Sequence, residues 1–286
     1  MIKANVQQIF NASKDSDIVE LLQVFRKYNL LTPEFIEQFQ AKEDVIIKSM
    51  LEKPFFSRYE NCNFDKIMEY TKEYLPTFSV MVKELMKHEG KRITDVCIVG
   101  DGFFTRTYGI GDKVIKLGIC EENKKIKNHR RILQPLYRAT WPDDGVERTD
   151  REKMFIEVEE RVITQDEFPE EEMYELYKDL RDAGTIWTDV KPNNVGRLRK
   201  SNRVHYKYTD GVNPDAVGFD RNLGEDEILP AGKLVIFDKQ FLYDDNDPNI
   251  TYLKYSKYTM KFKNRYEQEL EARNQTKDDE PDLDDK

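Results

Sequence analysis

The sequence predicts an α+β protein with a β-sheet lobe, a reduced helical lobe and an extra helical region at its N-terminus. Three observations carry this. Apolar residues recur at helical spacing through residues 1–90, as Ile18, Leu21, Leu22 and Phe25 do at i, i+3, i+4 and i+7. Short β-branched runs joined by glycine turns fill residues 95–117. Further on, Pro169–Asp182 sets Met173, Leu176, Tyr177 and Leu180 on one helical face.

Composition narrows the function classes. A chain of 286 residues makes one large domain or two ordinary ones, at about 150 residues per domain. It is 38% hydrophobic and 35% charged, and its 16 Phe and 15 Tyr supply a core. Wholesale disorder, a collagen-like chain and a coiled-coil rod are thereby excluded. The net charge of −9 disfavours polyanions, so no nucleic acid and no anionic membrane surface is expected as a partner. Cys62, Cys97 and Cys120 are far apart and form no C-x-x-C, which argues against a disulfide framework or zinc module. His88, His129 and His205 lack metal-ligand spacing. No run of about 18 apolar residues occurs, and MIKANVQQIF has no signal-peptide core. The expectation is a soluble, cytoplasmic protein in a reducing compartment.

The elements follow in order. Asp17 and Glu20 are placed to cap the helix containing Ile18. Thr32-Pro33-Glu34 starts another, with Phe35, Ile36 and Phe39 as its apolar face. Two more helical patterns span Phe64–Tyr74 and Thr77–His88. Near Lys91 the character changes to a β-meander: Asp95–Gly100, Thr105–Ile110 and Lys113–Leu117, with a turn at Gly109–Asp112. A polar helix is expected from Glu121 toward Gln134, and a strand over Met154–Val162. Residues 197–233 are polar and punctuated by Gly and Pro, an insertion or long hairpin with RVHYKYT as a possible strand. Leu234–Phe237 is a buried strand, and Tyr258, Phe262, Tyr266 and Leu270 lie on a last helix. The predicted organisation is a helical region 1–90, a domain 91–275 holding the insertion, and a disordered acidic tail 276–286.

The most informative stretch is Trp187-Thr-Asp-Val-Lys-Pro-Asn-Asn194, which contains D-x-K-P-x-N as Asp189, Lys191, Pro192 and Asn194. Four fixed residues at that spacing arise by chance in about one random chain in several hundred. An amphipathic helix, Ala183-Gly184 and the apolar pair Ile186-Trp187 precede it, and Val195-Gly196 follows. The competing reading is a polar turn capped by Asp and Asn. The stretch resembles the catalytic loop of the protein-kinase-like superfamily. By that resemblance Asp189 accepts or orients the proton of an attacking hydroxyl, Lys191 balances charge on the moving phosphoryl group, and Asn194 turns back to hold Mg²⁺.

Four further segments extend the resemblance over about residues 92–245. Val99-Gly-Asp-Gly-Phe-Phe104 is similar to the family's glycine-rich loop through Gly100, Gly102 and Phe104, with Thr105 where the last glycine stands. An ordinary hairpin turn is the rival there. Val114-Ile115-Lys116 resembles the strand whose Lys grips the α- and β-phosphates; the rival is a Lys pointing outward. The family expects a helix Glu to orient that Lys, and no Glu occurs from 123 to 146, so that partner is unassigned. Leu234–Asp238 is similar to the strand delivering the principal metal-binding Asp; Lys239-Gln240 replaces Phe-Gly, and a turn Asp is the rival. Met154–Glu159 resembles the strand leading to the adenine hinge, which puts Glu157 and Glu159 near the nucleotide.

The resemblance implies a bilobal kinase-like fold and an ATP- and Mg²⁺- (or Mn²⁺-) dependent phosphotransferase. A compact, atypical Ser/Thr protein kinase with a protein substrate leads. A small-molecule kinase of the same fold and a pseudokinase that binds nucleotide or protein are the alternatives, with nucleotidyl transfer a distant one. Trp187 and Thr188 replace the His and Arg of the family's H-R-D, so control by activation-loop phosphorylation is not expected. Little chain follows Asp238 and no A-P-E motif appears, so what the resemblance implies is a compact or atypical kinase; such kinases include bacterial effectors, so delivery into a host stays open. The N-terminal helices are expected to pack on the core, because HEGKRITD is the whole connection and no flexible linker intervenes.

Overall fold

The computed structural model describes residues 18–52, 64–102, 105–119, 129–141, 154–202, 228–239, 241–247 and 253–278. They make a mixed α+β structure with six α-helices and nine strands among the described residues. Two compact units divide the chain. Of the described residues, the first takes those up to 119 and from Pro135 to Arg161; the second takes 129–134, 162–202 and 228–278. Among the described residues no helix is long and apolar enough to cross a membrane.

In the first unit, helices α1 (Ile18–Lys27), α2 (Pro33–Gln40), α3 (Glu43–Glu52) and α4 (Phe64–His88) precede the sheet. The Thr32 hydroxyl accepts the Phe35 N–H at 3.4 Å and Pro33 opens the first turn, as the sequence predicts for α2. Helix α3 was not foreseen. Glu43 and Asp44 complement its N-terminal dipole, and Ile46, Ile47, Met50 and Leu51 bury one face. The two patterns expected over 64–88 are one helix that continues through Pro76, with Tyr74 and Phe78 fully buried on either side of it.

Strands β1 (Cys97–Asp101), β2 (Thr105–Ile110), β3 (Lys113–Ile119), β4 (Tyr137–Trp141) and β5 (Met154–Glu160) form an antiparallel sheet in the order β1-β2-β3-β5-β4. Tyr108, Ile115, Val158 and Tyr137 share one row and are buried. They join Leu22, Phe39, Ile46, Phe78, Val82 and Leu85 of the helices in a single hydrophobic cluster. Side chains also cross from helix to sheet: Gln23 Nε2 donates to the Ile98 carbonyl at 2.9 Å, and the Tyr108 hydroxyl donates to that of Met50 at 3.1 Å. The sequence places a boundary near residue 90; these helices and the sheet share one hydrophobic core.

The turn between β2 and β3 depends on glycine. Gly111 has φ +59°, and a Cβ there would stand 2.5 Å from Glu89 Oε2. The Glu89 carboxylate instead accepts the Asp112 N–H at 2.7 Å and meets Lys113 Nζ at 3.4 Å. Burial alone would raise its pKa, but the Asp112 N–H and the Lys113 charge hold it below the usual carboxylate range.

The second unit is built on α5 (Glu170–Asp182) and α6 (Lys257–Asp278), with two small antiparallel pairs: β6 (Thr185–Trp187) with β9 (Leu242–Asp244), and β7 (Val195–Arg197) with β8 (Leu234–Ile236). The apolar face of α5 is covered by α6, where Phe262 lies 5.5 Å from the Tyr174 ring and 5.9 Å from Tyr177. Burial pushes the Tyr177 phenol up to about 12. Helix α6 runs to Asp278, into the start of the segment expected to be an acidic tail; residues 279–286 lie outside the described residues.

The helix expected over 121–134 is corrected where it is described. His129–Gln134 is not helical. Ile132 bridges Ile236, the Leu133 N–H donates to the Ile236 carbonyl at 2.8 Å, and the Ile236 N–H donates to that of Arg131 at 2.8 Å. Pro135 disfavours helical backbone just before it, and burial of Ile132 and Leu133 rewards the extended pairing. Of the insertion, residues 203–227, including RVHYKYT, lie outside the described residues; its ends are joined by Leu198 N–H to the Lys233 carbonyl at 3.0 Å.

Candidate functional site

In the second unit, α5 ends at Asp182 with Ala183 as its C-cap, and Gly184 turns the chain through φ +74° into β6. Trp187 at the end of that strand is fully buried. The next residues leave the sheet as a loop, tighten into a 3-10 turn at Pro192–Asn194, and re-enter as β7. Pro192 suits the first position of that turn because it has no N–H to leave unpaired.

The loop folds back on itself. Asn194, 2% exposed, donates from Nδ2 to the Asp189 carbonyl at 2.9 Å and to Asp189 Oδ2 at 3.3 Å. Lys191 Nζ meets the same Oδ2 at 2.5 Å and sits 5.6 Å from the centre of the Phe241 ring. The spacing D-x-K-x-x-N thus gathers all three side chains on one carboxylate. Asp238 follows β8 and is drawn to the same loop: its N–H and that of Phe237 donate to the Asn194 carbonyl, at 3.4 and 3.1 Å. Phe241 also accepts from Thr188, through N–H at 3.0 Å and Oγ1 at 3.3 Å.

The strands behind the loop leave little tolerance. A Cβ on Gly196 would lie 2.4 Å from Val162 Cγ2 and 3.1 Å from the Ile163 carbonyl oxygen. Arg197 forks onto Glu172 of α5 at 2.5 and 3.0 Å, which holds that carboxyl below its usual range. Arg131, 4% exposed, reaches Asp179 at 2.6 Å and Glu175 at 3.0 Å on the same helix, and the Leu234 carbonyl at 3.3 Å.

In the first unit, Gly100, Thr107, Lys116, Glu157 and Arg138 form one row across the sheet. Lys116 is 8% exposed, and its Nζ meets Glu159 Oε2 at 2.5 Å; Glu159 is fully buried. Glu157 meets Arg138 at 3.1 Å. The two carboxylates assigned by resemblance to the nucleotide's surroundings therefore each hold a sheet cation. Gly100 and Gly102 have no positive φ, and a Cβ on either would make ordinary contact at 3.5 and 3.4 Å. The Gly102 N–H donates to the Thr105 carbonyl at 2.9 Å; Phe104 lies outside the described residues.

Sequence reasoning missed Phe241 and the pairing of Lys116 with Glu159. The signal for the second was present: Glu157 and Glu159 alternate onto the face that carries Lys116 once β3 and β5 are paired. Among the described residues no group of three or more His, Cys, Asp or Glu is gathered to hold a metal. A Mg²⁺ ion needs fewer protein ligands, since it keeps waters and takes phosphate oxygens. With the Asn194 amide N–H groups given to Asp189, its oxygen is the atom left to face a cation. No family model and no curated protein matches the chain.

Proposed function

We propose that the chain is a Mg²⁺-dependent phosphotransferase that moves the γ-phosphoryl group of ATP to a hydroxyl, as a compact Ser/Thr protein kinase would. The observation that carries this reading is the convergence of Asp189, Lys191 and Asn194 on one carboxylate, with the Asp238 backbone bonded to Asn194. The sheet order β1-β2-β3-β5-β4 and the β6–β9 and β7–β8 pairs flanking the loop also support it.

In this reading Asp189 takes the proton of the acceptor hydroxyl as its oxygen bonds to the γ-phosphorus and ADP departs. Lys191, tethered between Asp189 and the Phe241 ring, supplies positive charge beside that transfer. Asn194 and Asp238 are the residues that would hold Mg²⁺, whose charge offsets that of the phosphates. Lys116, oriented by Glu159, is assigned to the α- and β-phosphates. A non-catalytic nucleotide-binding module is the second reading, favoured by Lys239-Gln240 where the family carries Phe-Gly.

The test is turnover by the full chain with ATP and Mg²⁺ or Mn²⁺, with autophosphorylation and a generic protein acceptor as readouts. Activity in wild type and its loss in Asp189→Asn is the expected result. Metal-dependent nucleotide binding without turnover selects the binding module, and binding of neither ligand overturns both readings.

A further inference from the structure

Behind the Asp189 loop lies a hydroxyl cluster at the start of α6 that the proposed chemistry has not used. Thr259 is fully buried. Its Oγ1 accepts the Val190 N–H at 3.0 Å and donates to the Thr188 carbonyl at 2.9 Å. Ser256 Oγ lies 2.9 Å from the same Oγ1. A threonine hydroxyl has one proton and two lone pairs. Since that proton goes to Thr188, Ser256 must be the donor to Thr259. Ser256 Oγ in turn accepts the Thr259 N–H at 3.2 Å as the N-cap of α6, and the Ser256 N–H donates to the Thr188 carbonyl at 2.9 Å. Every bonding position of the Thr259 hydroxyl is then filled.

The bonds fall on the two peptide groups that flank Asp189. The Thr188 carbonyl belongs to the peptide before it and the Val190 N–H to the peptide after it. One hydroxyl thus holds both, and with them the backbone angles that aim the Asp189 carboxylate. We infer that Thr259, supported by Ser256, is a positioning residue for Asp189, so that α6 sets the geometry of the proton acceptor without touching substrate. This rests on the phosphotransferase reading. Valine matches threonine in shape but offers neither donor nor acceptor, so it strands the Val190 N–H and leaves the Thr188 carbonyl with the Ser256 N–H alone. The loop answers by shifting, and a displacement of the reacting group costs rate rather than nucleotide affinity.

The test compares Thr259→Val, Thr259→Ser and Phe262→Leu in the full chain by steady-state kinetics, thermal unfolding and amide exchange. Phe262 is the control: it is fully buried on the same helix, packs on the Tyr174 and Tyr177 rings and offers no hydrogen-bonding group. In Thr259→Val, kcat falls by about 10- to 100-fold with KM for ATP little changed. Thr259→Ser restores kcat, and Phe262→Leu lowers the unfolding midpoint while leaving kcat of the folded protein near wild type. In wild type the Val190 amide exchanges slowly. Unchanged kcat in Thr259→Val, or equal losses in Thr259→Val and Phe262→Leu, overturns the inference while leaving the phosphotransferase reading intact. If Thr259→Val does not fold, Thr259→Ala takes its place and must show the same split; fast Val190 exchange in wild type overturns the inference without any variant. A wild type with no turnover removes the reading and the inference together.

Discussion

Lys116 and Glu159 meet at 2.5 Å across neighbouring strands of the sheet, with the carboxylate fully buried. Such a pair is held by mutual charge in a place where either ion alone would be costly. Glu159→Gln should therefore destabilise the protein, by up to about 3–5 kcal/mol, because it removes the buried carboxylate that Lys116 meets at 2.5 Å. Replacing both, as Lys116→Met with Glu159→Leu, should recover most of that stability. If Lys116 binds phosphate, the double variant still loses ATP affinity. Denaturant titration and nucleotide titration on the same three proteins separate the two effects; a stable double variant with wild-type ATP binding would remove Lys116 from the site.

Asp238 is joined to Asn194 through backbone, its N–H donating to the Asn194 carbonyl at 3.4 Å, so the proposed metal ligand can be cut while that bond is kept. Asp238→Ala keeps the N–H that donates to Asn194. On the proposed function it should abolish turnover and the Mg²⁺-dependent part of ATP binding. Nucleotide affinity that stays Mg²⁺-dependent in this variant would place the metal elsewhere.

Glu89 sets an acid limit on the first unit. Its pKa is lowered on folding, so its stabilising contribution is complete above the unfolded carboxylate value, near 4.3, and disappears as pH falls through the folded value. Stability should decline from about pH 5 downward. Glu89→Gln should be less stable than wild type at pH 7 and lose less on acidification. Parallel stability–pH curves for the two proteins would show that Glu89 contributes nothing to the acid slope.

The N-terminal helices bear on any attempt to isolate the sheet. Leu22, Phe39, Ile46, Phe78 and Leu85 are buried in the cluster that holds Tyr108 and Ile115. Each such side chain contributes about 1.5–3 kcal/mol by burial, and total stabilities are only about 5–15 kcal/mol. A fragment beginning at Lys91 should aggregate or fail to fold. Release by limited proteolysis near Gly90 of a stable, nucleotide-binding fragment would contradict this.

What the sequence determined by itself was local. The α2 start follows from Thr32 and Pro33, the α5 face from the spacing of Met173, Leu176, Tyr177 and Leu180, and the first three strands from β-branched runs between glycines. The Asp189–Asn194 turn belongs to the same class, because its bonds join residues within a few positions of one another. The tertiary structure decided what depends on register and packing. Strand pairing, not the order of residues, brings Glu159 to Lys116. Pairing with Ile236 keeps His129–Gln134 out of a helix, and docking of α6 carries Thr259 behind Asp189. Those contacts join segments distant in sequence, and their free energy exists only once the intervening chain has folded; no window of neighbouring residues contains it.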